Sequence, residues 1–107
     1  MKHILALDPA SSTGYVKCTI NDEDLVVIND YGILEVKNDA NQEYCTVGET
    51  CNALYDKIEA LLEPVPDIVY IEDFFVSSRC RSGVSLNYFL RGAICMLLSK
   101  RQIKYQF

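Results

Sequence analysis

Two carboxylates, Asp8 and Glu72, each end a short apolar run of the sequence, and both could bind a metal ion. Asp8 follows the apolar residues 4–7, and Glu72 follows the apolar residues 68–71. If these runs are neighbouring parallel strands, the two acids lie at one edge of a sheet, roughly 4.8 Å apart. Carboxylates at that separation repel each other, and a divalent cation that both coordinate relieves the repulsion. Singly, each acid has a simpler explanation, as a turn-capping aspartate before Pro9 or as a surface acid at a strand end. Together they predict a divalent-metal site.

Short apolar runs and helical periodicity predict an α/β fold with the element order β-β-β-α-β-α-β. Three strands joined by short turns form an antiparallel meander, and two helical crossovers lead into the fourth and fifth strands. Right-handed crossovers place both helices on the same face of this five-stranded mixed sheet if the fourth strand lies beside and parallel to the first. The predicted strands cover residues 3–8, 14–21, 25–37 (bent at 29–30), 68–73 and 103–107, and the predicted helices cover residues 43–62 and 83–101.

The composition indicates one small intracellular domain. About half of the 107 residues are apolar, which is enough for a core in a domain of this size. No run of about 18 apolar residues and no signal-peptide pattern occurs, so we expect a cytoplasmic protein without a membrane span. The five cysteines include no CxxC pair, so we expect reduced thiols rather than zinc ligands or a disulfide framework.

Charge is distributed unevenly along the chain. Residues 1–73 contain all 15 acidic residues and only four lysines, whereas residues 74–107 contain six basic residues and no acid. The net charge of −5 therefore hides a basic last third. Such asymmetry indicates a surface for nucleic acid or another polyanion, although a solvated basic helix face would give the same pattern.

The motifs around the two acids resemble those of the ribonuclease H-like superfamily, and within it the RuvC-type Holliday junction resolvases, including their phage and viral relatives. The first motif is an apolar strand, Asp-Pro and a small-residue turn closing on Thr-Gly, matched here by LDPASSTGYV at 7–16. The second is an apolar strand, Ile-Glu and aromatic residues, matched by VYIEDFF at 69–75 and followed by SRCRSGVSLNYFLRGA at 78–93. The order of the predicted elements fits this superfamily over the whole chain.

The resemblance implies a homodimeric endonuclease that cleaves DNA at four-way (Holliday) junctions or other branch points. It implies two Mg²⁺ or Mn²⁺ ions held by four carboxylates, of which Asp8, bridging the ions, and Glu72 would be the first two and the catalytic pair. It also implies an aromatic residue that stacks on or wedges into the junction, at Phe75 or its neighbour Phe74. Basic residues on the following loop and helix would contact the DNA backbone: Arg79, Arg81, Arg91, Lys100 and Arg101.

The sequence departs from the family in its acidic residues. The family's other two carboxylates belong to a final helix after the fifth strand, but this chain has no acid after Asp73. Asp73 itself would point to the opposite face of the strand from Glu72. We therefore expect residues 1–107 to be a single ribonuclease H-like domain that is C-terminally incomplete. In that case, apolar positions of the first and fourth strands face water unless a partner chain or dimerisation covers them, and the broad apolar face of the second helix makes it a candidate dimer interface.

Two alternative functions remain open at this point. A non-catalytic nucleic-acid-binding module would use the same basic last third and the two phenylalanines without cleaving its ligand. A fragment of an actin-like sugar or acetate kinase would share the strand, aspartate and turn opening, but its phosphate-binding turn is usually richer in glycine. Glu72 has no role in the kinase alternative.

Overall fold

The computed structural model describes residues 1–36, 47–73 and 84–107, and these form a five-stranded mixed sheet with two helices. The sheet order is β3-β2-β1-β4-β5. β1 pairs antiparallel with β2 and β2 with β3, whereas β1 pairs parallel with β4 and β4 with β5. This confirms the predicted α/β fold. The elements are β1 (Lys2–Asp8), β2 (Ser12–Ile20), β3 (Val26–Glu35), α1 (Val47–Ala60), β4 (Ile68–Ile71), α2 (Val84–Lys100) and β5 (Lys104–Gln106).

The core lies between one face of the sheet and both helices, as predicted. Every second residue of the two central parallel strands is buried on this face, because strand side chains alternate between faces. Both helices contribute side chains that are fully or almost fully buried against them. The buried apolar residues of these four elements are Leu5, Leu7, Val69, Ile71, Cys51, Leu54, Ile58, Leu90, Ile94, Leu97 and Leu98.

The element boundaries differ from the predicted ones by a few residues. β2 begins at Ser12 rather than 14 because it continues past the end of β1 to pair with β3, where Ser12 lies opposite Glu35. α1 ends at Ala60, and a tighter turn carries the chain to the buried Leu62. The predicted start of this helix, at residues 43–46, lies outside the described residues.

The predicted bend in the third strand is confirmed as a β-bulge. Lys17 pairs with Asp30 and Cys18 with Ile28, so Asn29 is left without a partner in the ladder. One extra residue on one strand locally increases the twist and bends that strand. β3 therefore bends at the asparagine-aspartate pair, whose residue types disfavour regular strand.

The second face of the sheet is open among the described residues, as expected from the sequence. The most exposed apolar side chains, however, are on β3 rather than on the first and fourth strands: Tyr31 is 75% exposed, and Ile28 and Ile33 are also exposed. β3 is an edge strand, whereas β1 has a neighbour on each side and its Ile4 and Ala6 are half-buried. In the described ranges, no helix is long and apolar enough to cross a membrane.

The Thr13 hydroxyl organises the turn that follows Asp8. Its Oγ1 donates a hydrogen bond to the Ala10 carbonyl at 2.6 Å and accepts one from the Ala10 N–H at 3.2 Å. Thr13 is fully buried, so its hydroxyl depends on Ala10 for both of these bonds, whereas Ala10 itself is half-buried. Thr13 therefore closes this turn through its side chain, a role to which hydroxyl residues are suited.

We predict that Thr13→Val lowers the free energy of unfolding by about 1–3 kcal/mol, because it keeps the side-chain shape but removes both hydrogen bonds to the half-buried Ala10 backbone. Urea unfolding followed by circular dichroism measures the effect. Ser12→Ala, at an exposed neighbouring position, is the control and should change stability by less than about 0.5 kcal/mol. Equal losses in the two variants would contradict a specific role for the Thr13 hydroxyl.

Candidate metal centre

The register of β1 and β4 brings Asp8 and Glu72 side by side. Ile4 pairs with Ile68 and Leu7 with Ile71, so the next pair in the same register is Asp8 and Glu72. The Glu72 N–H donates to the Leu7 carbonyl at 2.9 Å, which extends the hydrogen-bonded ladder by one step beyond β4. The two carboxylates therefore sit on neighbouring parallel strands, whose backbones are separated by roughly 4.8 Å.

Both carboxylates lie on the open face of the sheet. Leu7 and Ile71, the residues immediately before them, are buried on the helix side, and strand side chains alternate between faces. Asp8 and Glu72 are both exposed. An ion or a phosphate can therefore approach them directly from solvent.

A shallow concavity of about 1060 Å³ surrounds the carboxylates on this open face. Gly14 lies opposite Asp8 in the β1–β2 ladder, and a Cβ at this position would lie 3.9 Å from the Asp8 Cβ. The glycine thus leaves the β2 side of the Asp8 carboxylate without a neighbouring side chain. The rest of the lining is largely apolar and includes Val16, Tyr31, Ile33, Tyr70 and Phe107.

Arg91 lies behind the two carboxylates. Its guanidinium donates to the Glu72 carbonyl through Nε at 3.1 Å and through one terminal nitrogen at 2.8 Å. The other terminal nitrogen donates to the Pro9 carbonyl at 3.0 Å and to Asn87 Oδ1 at 3.0 Å. Only 7% of Arg91 is exposed, so its guanidinium has little surface to offer a DNA phosphate.

The described donor set fits one hard divalent cation but not a complete two-ion site. Mg²⁺ is commonly bound by one or two carboxylates together with water and substrate phosphate oxygens, and Asp8 with Glu72 can supply those carboxylates. Over residues 1–36, 47–73 and 84–107, however, no group of three His, Cys, Asp or Glu residues could hold a metal ion. The four-carboxylate set implied by the sequence resemblance is therefore not assembled by the described part of the chain.

The other residues predicted to bind DNA are not brought to this site by the described structure. Lys100 is the last residue of α2 and Arg101 follows it. Arg101 contacts Glu59 at 3.4 Å and Glu63 at 4.0 Å. Arg101 there lines a different concavity, together with Lys2 at the start of β1. Phe74, Phe75, Arg79 and Arg81 lie outside the described residues.

Sequence reasoning missed the buried position of Arg91, although the sequence carries a signal for it. Arg91 precedes Ile94 by three residues and Leu98 by seven, so it falls on the same helix face as these buried side chains. An arginine inside such an apolar stripe needs buried acceptors. The carbonyls at the ends of β1 and β4 supply them.

Comparison with known proteins identifies the fold. The sequence matches no protein-family model, and no curated protein is significantly similar to it in sequence. Solved structures, in contrast, match almost the whole chain, and those described below are Holliday junction resolvases. The chain therefore has a RuvC-like α/β fold of the ribonuclease H-like type.

Three solved structures illustrate the similarity. Thermus thermophilus RuvC in complex with a Holliday junction substrate has a TM-score of 0.72 and 14% identity, over 96% of this chain and 63% of that chain. Another Thermus thermophilus RuvC structure has a TM-score of 0.74 and 13% identity, over 96% of this chain and 61% of that chain. The yeast mitochondrial Holliday junction resolvase Ydc2 has a TM-score of 0.63 and 14% identity, over 95% of this chain and 48% of that chain. The chain thus spans less than two thirds of the length of these resolvases.

Proposed function

We propose that this protein is a Mg²⁺- or Mn²⁺-dependent endonuclease that cleaves four-way (Holliday) junctions or other branched DNA. The observation that carries the proposal is the placement of Asp8 and Glu72 next to each other on the open face of the sheet. The RuvC-like fold supports it, since a solved protein of that fold is bound to a Holliday junction substrate. The lengths of the matched resolvases make the activity of a 107-residue chain the first point to test.

In this proposal, Asp8 and Glu72 hold the metal ion through their carboxylate oxygens. A divalent ion at such a site supplies the activation of water and the stabilisation of the leaving oxygen in phosphodiester hydrolysis. Gly14 leaves space beside Asp8 for a phosphate to approach. Water, phosphate oxygens or acids outside the described residues complete the coordination. This chemistry needs no protein nucleophile, so the cysteines and serines have no catalytic role.

We assign the DNA contacts near the metal to the segment that follows Glu72 in the sequence. Phe74 and Phe75 come two and three residues after Glu72 in the chain, and Arg79 and Arg81 follow a few residues later. Stacking by an aromatic residue at the branch point and backbone contacts by arginines would place a phosphate over the carboxylates. Arg101 lies near the amino end of β1, at the end of the strands opposite to the acids, and Lys100 directly precedes it. They could contact only a DNA arm that extends roughly 20 Å from the acids, the length of a seven-residue strand.

We also propose that the protein forms a homodimer through the exposed face of α2. Phe89 is 63% and Met96 is 64% exposed, and Tyr88 is exposed beside them. These residues recur at helical spacing around Gly92, where an added Cβ would meet nothing within 4 Å. A small residue between large apolar ones allows two helices to approach closely, and a contiguous exposed apolar patch is typical of an interaction site.

A second candidate function is a nucleic-acid-binding module that does not cleave its ligand. The observation that favours it is that no group of three His, Cys, Asp or Glu residues in the described part of the chain could hold a metal ion. The two functions share the basic residues and the two phenylalanines that follow Glu72 in the sequence. They differ in whether the paired carboxylates are needed for DNA cleavage.

The first test of the proposed nuclease is cleavage of a labelled four-way DNA junction in Mn²⁺ and in EDTA. We expect cleavage in Mn²⁺ that is abolished by EDTA and reduced at least about 100-fold by Asp8→Asn or Glu72→Gln, because each change removes a negatively charged ligand. Asp56→Asn, at an exposed acid on α1, should cleave like the unchanged protein. Junction binding without cleavage in any metal would favour the binding module. A protein that shows no binding and no cleavage would contradict both functions.

The salt dependence of junction binding tests Arg79 and Arg81. We expect the double variant Arg79→Ala/Arg81→Ala to reduce the slope of log K against log salt by about two units, since each phosphate contact contributes about 0.9. Fluorescence anisotropy between about 50 and 200 mM KCl measures this slope. Lys104→Ala removes an exposed base on β5 and should leave the slope unchanged. An unchanged slope in the double variant would exclude these two arginines as phosphate contacts.

Substitutions at Gly92 test the α2 dimer. In a monomer, Gly92→Leu meets no side chain at its Cβ and favours the helix by somewhat less than about 1 kcal/mol relative to glycine. In the proposed dimer, the added side chain separates the two helices, so we expect at least a tenfold rise in the dimer dissociation constant, the equivalent of about 1.4 kcal/mol. Sedimentation velocity measures the dimer dissociation constant of Gly92→Leu and of the control Asn52→Leu, whose substitution is on the exposed face of α1. The interface would be contradicted if the unsubstituted protein is a monomer, or if the two substitutions change the dissociation constant equally.

A further inference from the structure

Arg91 is one of two buried polar or charged side chains in the part of the chain that the structure describes, the other being Thr13. Burying a cation costs free energy unless its hydrogen-bond donors have acceptors. The positions of these acceptors therefore indicate which parts of the fold the Arg91 guanidinium connects. Its forked donors reach the Glu72 carbonyl twice, at 3.1 and 2.8 Å, and the Pro9 carbonyl at 3.0 Å. One side chain of α2 therefore joins the ends of two different strands.

The two acceptor carbonyls belong to residues of, or next to, the proposed metal site. Glu72 is itself one of the two carboxylate residues, and Pro9 directly follows the other, Asp8. The Glu72 N–H bond to the Leu7 carbonyl at 2.9 Å is the last backbone bond between the two segments in the described ranges. Beyond it, Arg91 supplies the link that the ladder no longer provides.

We propose that Arg91 is a positioning residue: its buried guanidinium holds the ends of β1 and β4 together and so fixes the spacing of the Asp8 and Glu72 carboxylates. The metal-binding consequence of this link rests on the proposed function, whereas the link itself does not. A guanidinium suits the role because its planar donors can bridge two acceptors in a fixed geometry, whereas a lysine ammonium is a single point charge. Asn87, whose Oδ1 accepts from the same guanidinium at 3.0 Å, helps to orient it.

Amide hydrogen exchange tests the link without requiring any metal. The Glu72 N–H bonds to Leu7 at the carboxyl end of the strand pair, and the Asp67 N–H bonds to the His3 carbonyl at 2.8 Å at the other end. We expect Arg91→Lys to speed exchange of the Glu72 amide at least about tenfold relative to that of Asp67, because local opening at one end does not require opening at the other. Asn87→Ala, which keeps the charge but removes one acceptor, should give a smaller change in the same direction.

The control for exchange is Leu98→Val, which disturbs a fully buried position toward the other end of the same helix. It lowers overall stability without removing the hydrogen bond of either reporter amide, so we expect it to leave the ratio of the two exchange rates unchanged. If Arg91→Lys also leaves this ratio unchanged, or if Leu98→Val changes it equally, Arg91 has no local linking role and the proposal is overturned. If Arg91→Lys does not fold, Asn87→Ala alone decides by the same ratio.

Mn²⁺ binding, measured by electron paramagnetic resonance, separates the positioning role from the proposed function. We expect Arg91→Lys to weaken Mn²⁺ binding about 10-fold or more, as loss of a residue that orients metal ligands commonly does, while Leu98→Val has little effect at a temperature where both are folded. Unchanged Mn²⁺ affinity in Arg91→Lys would overturn the positioning role and leave the nuclease proposal standing. If the unchanged protein binds no Mn²⁺ but the exchange ratio responds as expected, the metal site of the nuclease proposal fails and the link between the strand ends stands.

Discussion

The parallel, in-register pairing of β1 with β4 is the constraint on which the candidate site depends. A slip of one residue in this register would move every side chain of one strand to the other face, and Glu72 would no longer share a face with Asp8. Burial of alternate residues on the helix side fixes which face each strand turns toward the core. At the amino end, His3 and Asp67 make two bonds, with the Asp67 N–H on the His3 carbonyl at 2.8 Å and the His3 N–H on the Asp67 carboxylate at 2.7 Å. At the carboxyl end, Arg91 makes the corresponding link.

The two faces of the sheet have opposite requirements. The face under α1 and α2 excludes water, which stabilises the domain through buried apolar area. The other face carries the carboxylates. A metal ion with its waters and phosphates can reach them only if that face remains open around Asp8 and Glu72. The exposed apolar side chains of β3, such as Ile28 and Tyr31, are on this same open face. The site and the least protected apolar surface of the described chain are thus parts of one surface.

Much of this architecture could be predicted because it follows from local sequence patterns. Short apolar runs indicate the strands, the three-and-four spacing indicates the helices, and the rule that parallel strands end at one edge of the sheet places Asp8 beside Glu72. The roles of the basic residues were harder to predict, because the number of charges says nothing about where each one lies. Arg91 is buried by its helix phase, and the 17-residue length of α2 carries Lys100 roughly 25 Å from the helix start, at about 1.5 Å per residue. Both facts depend on how α2 packs, which residue composition does not show.

A metal site that contains only the carboxylates of Asp8 and Glu72 from the described part of the chain also constrains how a nuclease that uses it would bind its metal ion and its substrate. Two carboxylates leave several positions of a divalent ion to water and phosphate oxygens, so substrate itself becomes part of the metal site. Binding of the ion and binding of DNA are then coupled, and by linkage each raises the affinity for the other by the same factor. Such coupling depends on the spacing of the acids, because a phosphate can complete the coordination only if both carboxylates reach the same ion. In such a nuclease, the link from Arg91 to the strand ends would therefore affect substrate binding as well as metal affinity, although its side chain is buried and lies behind the acids.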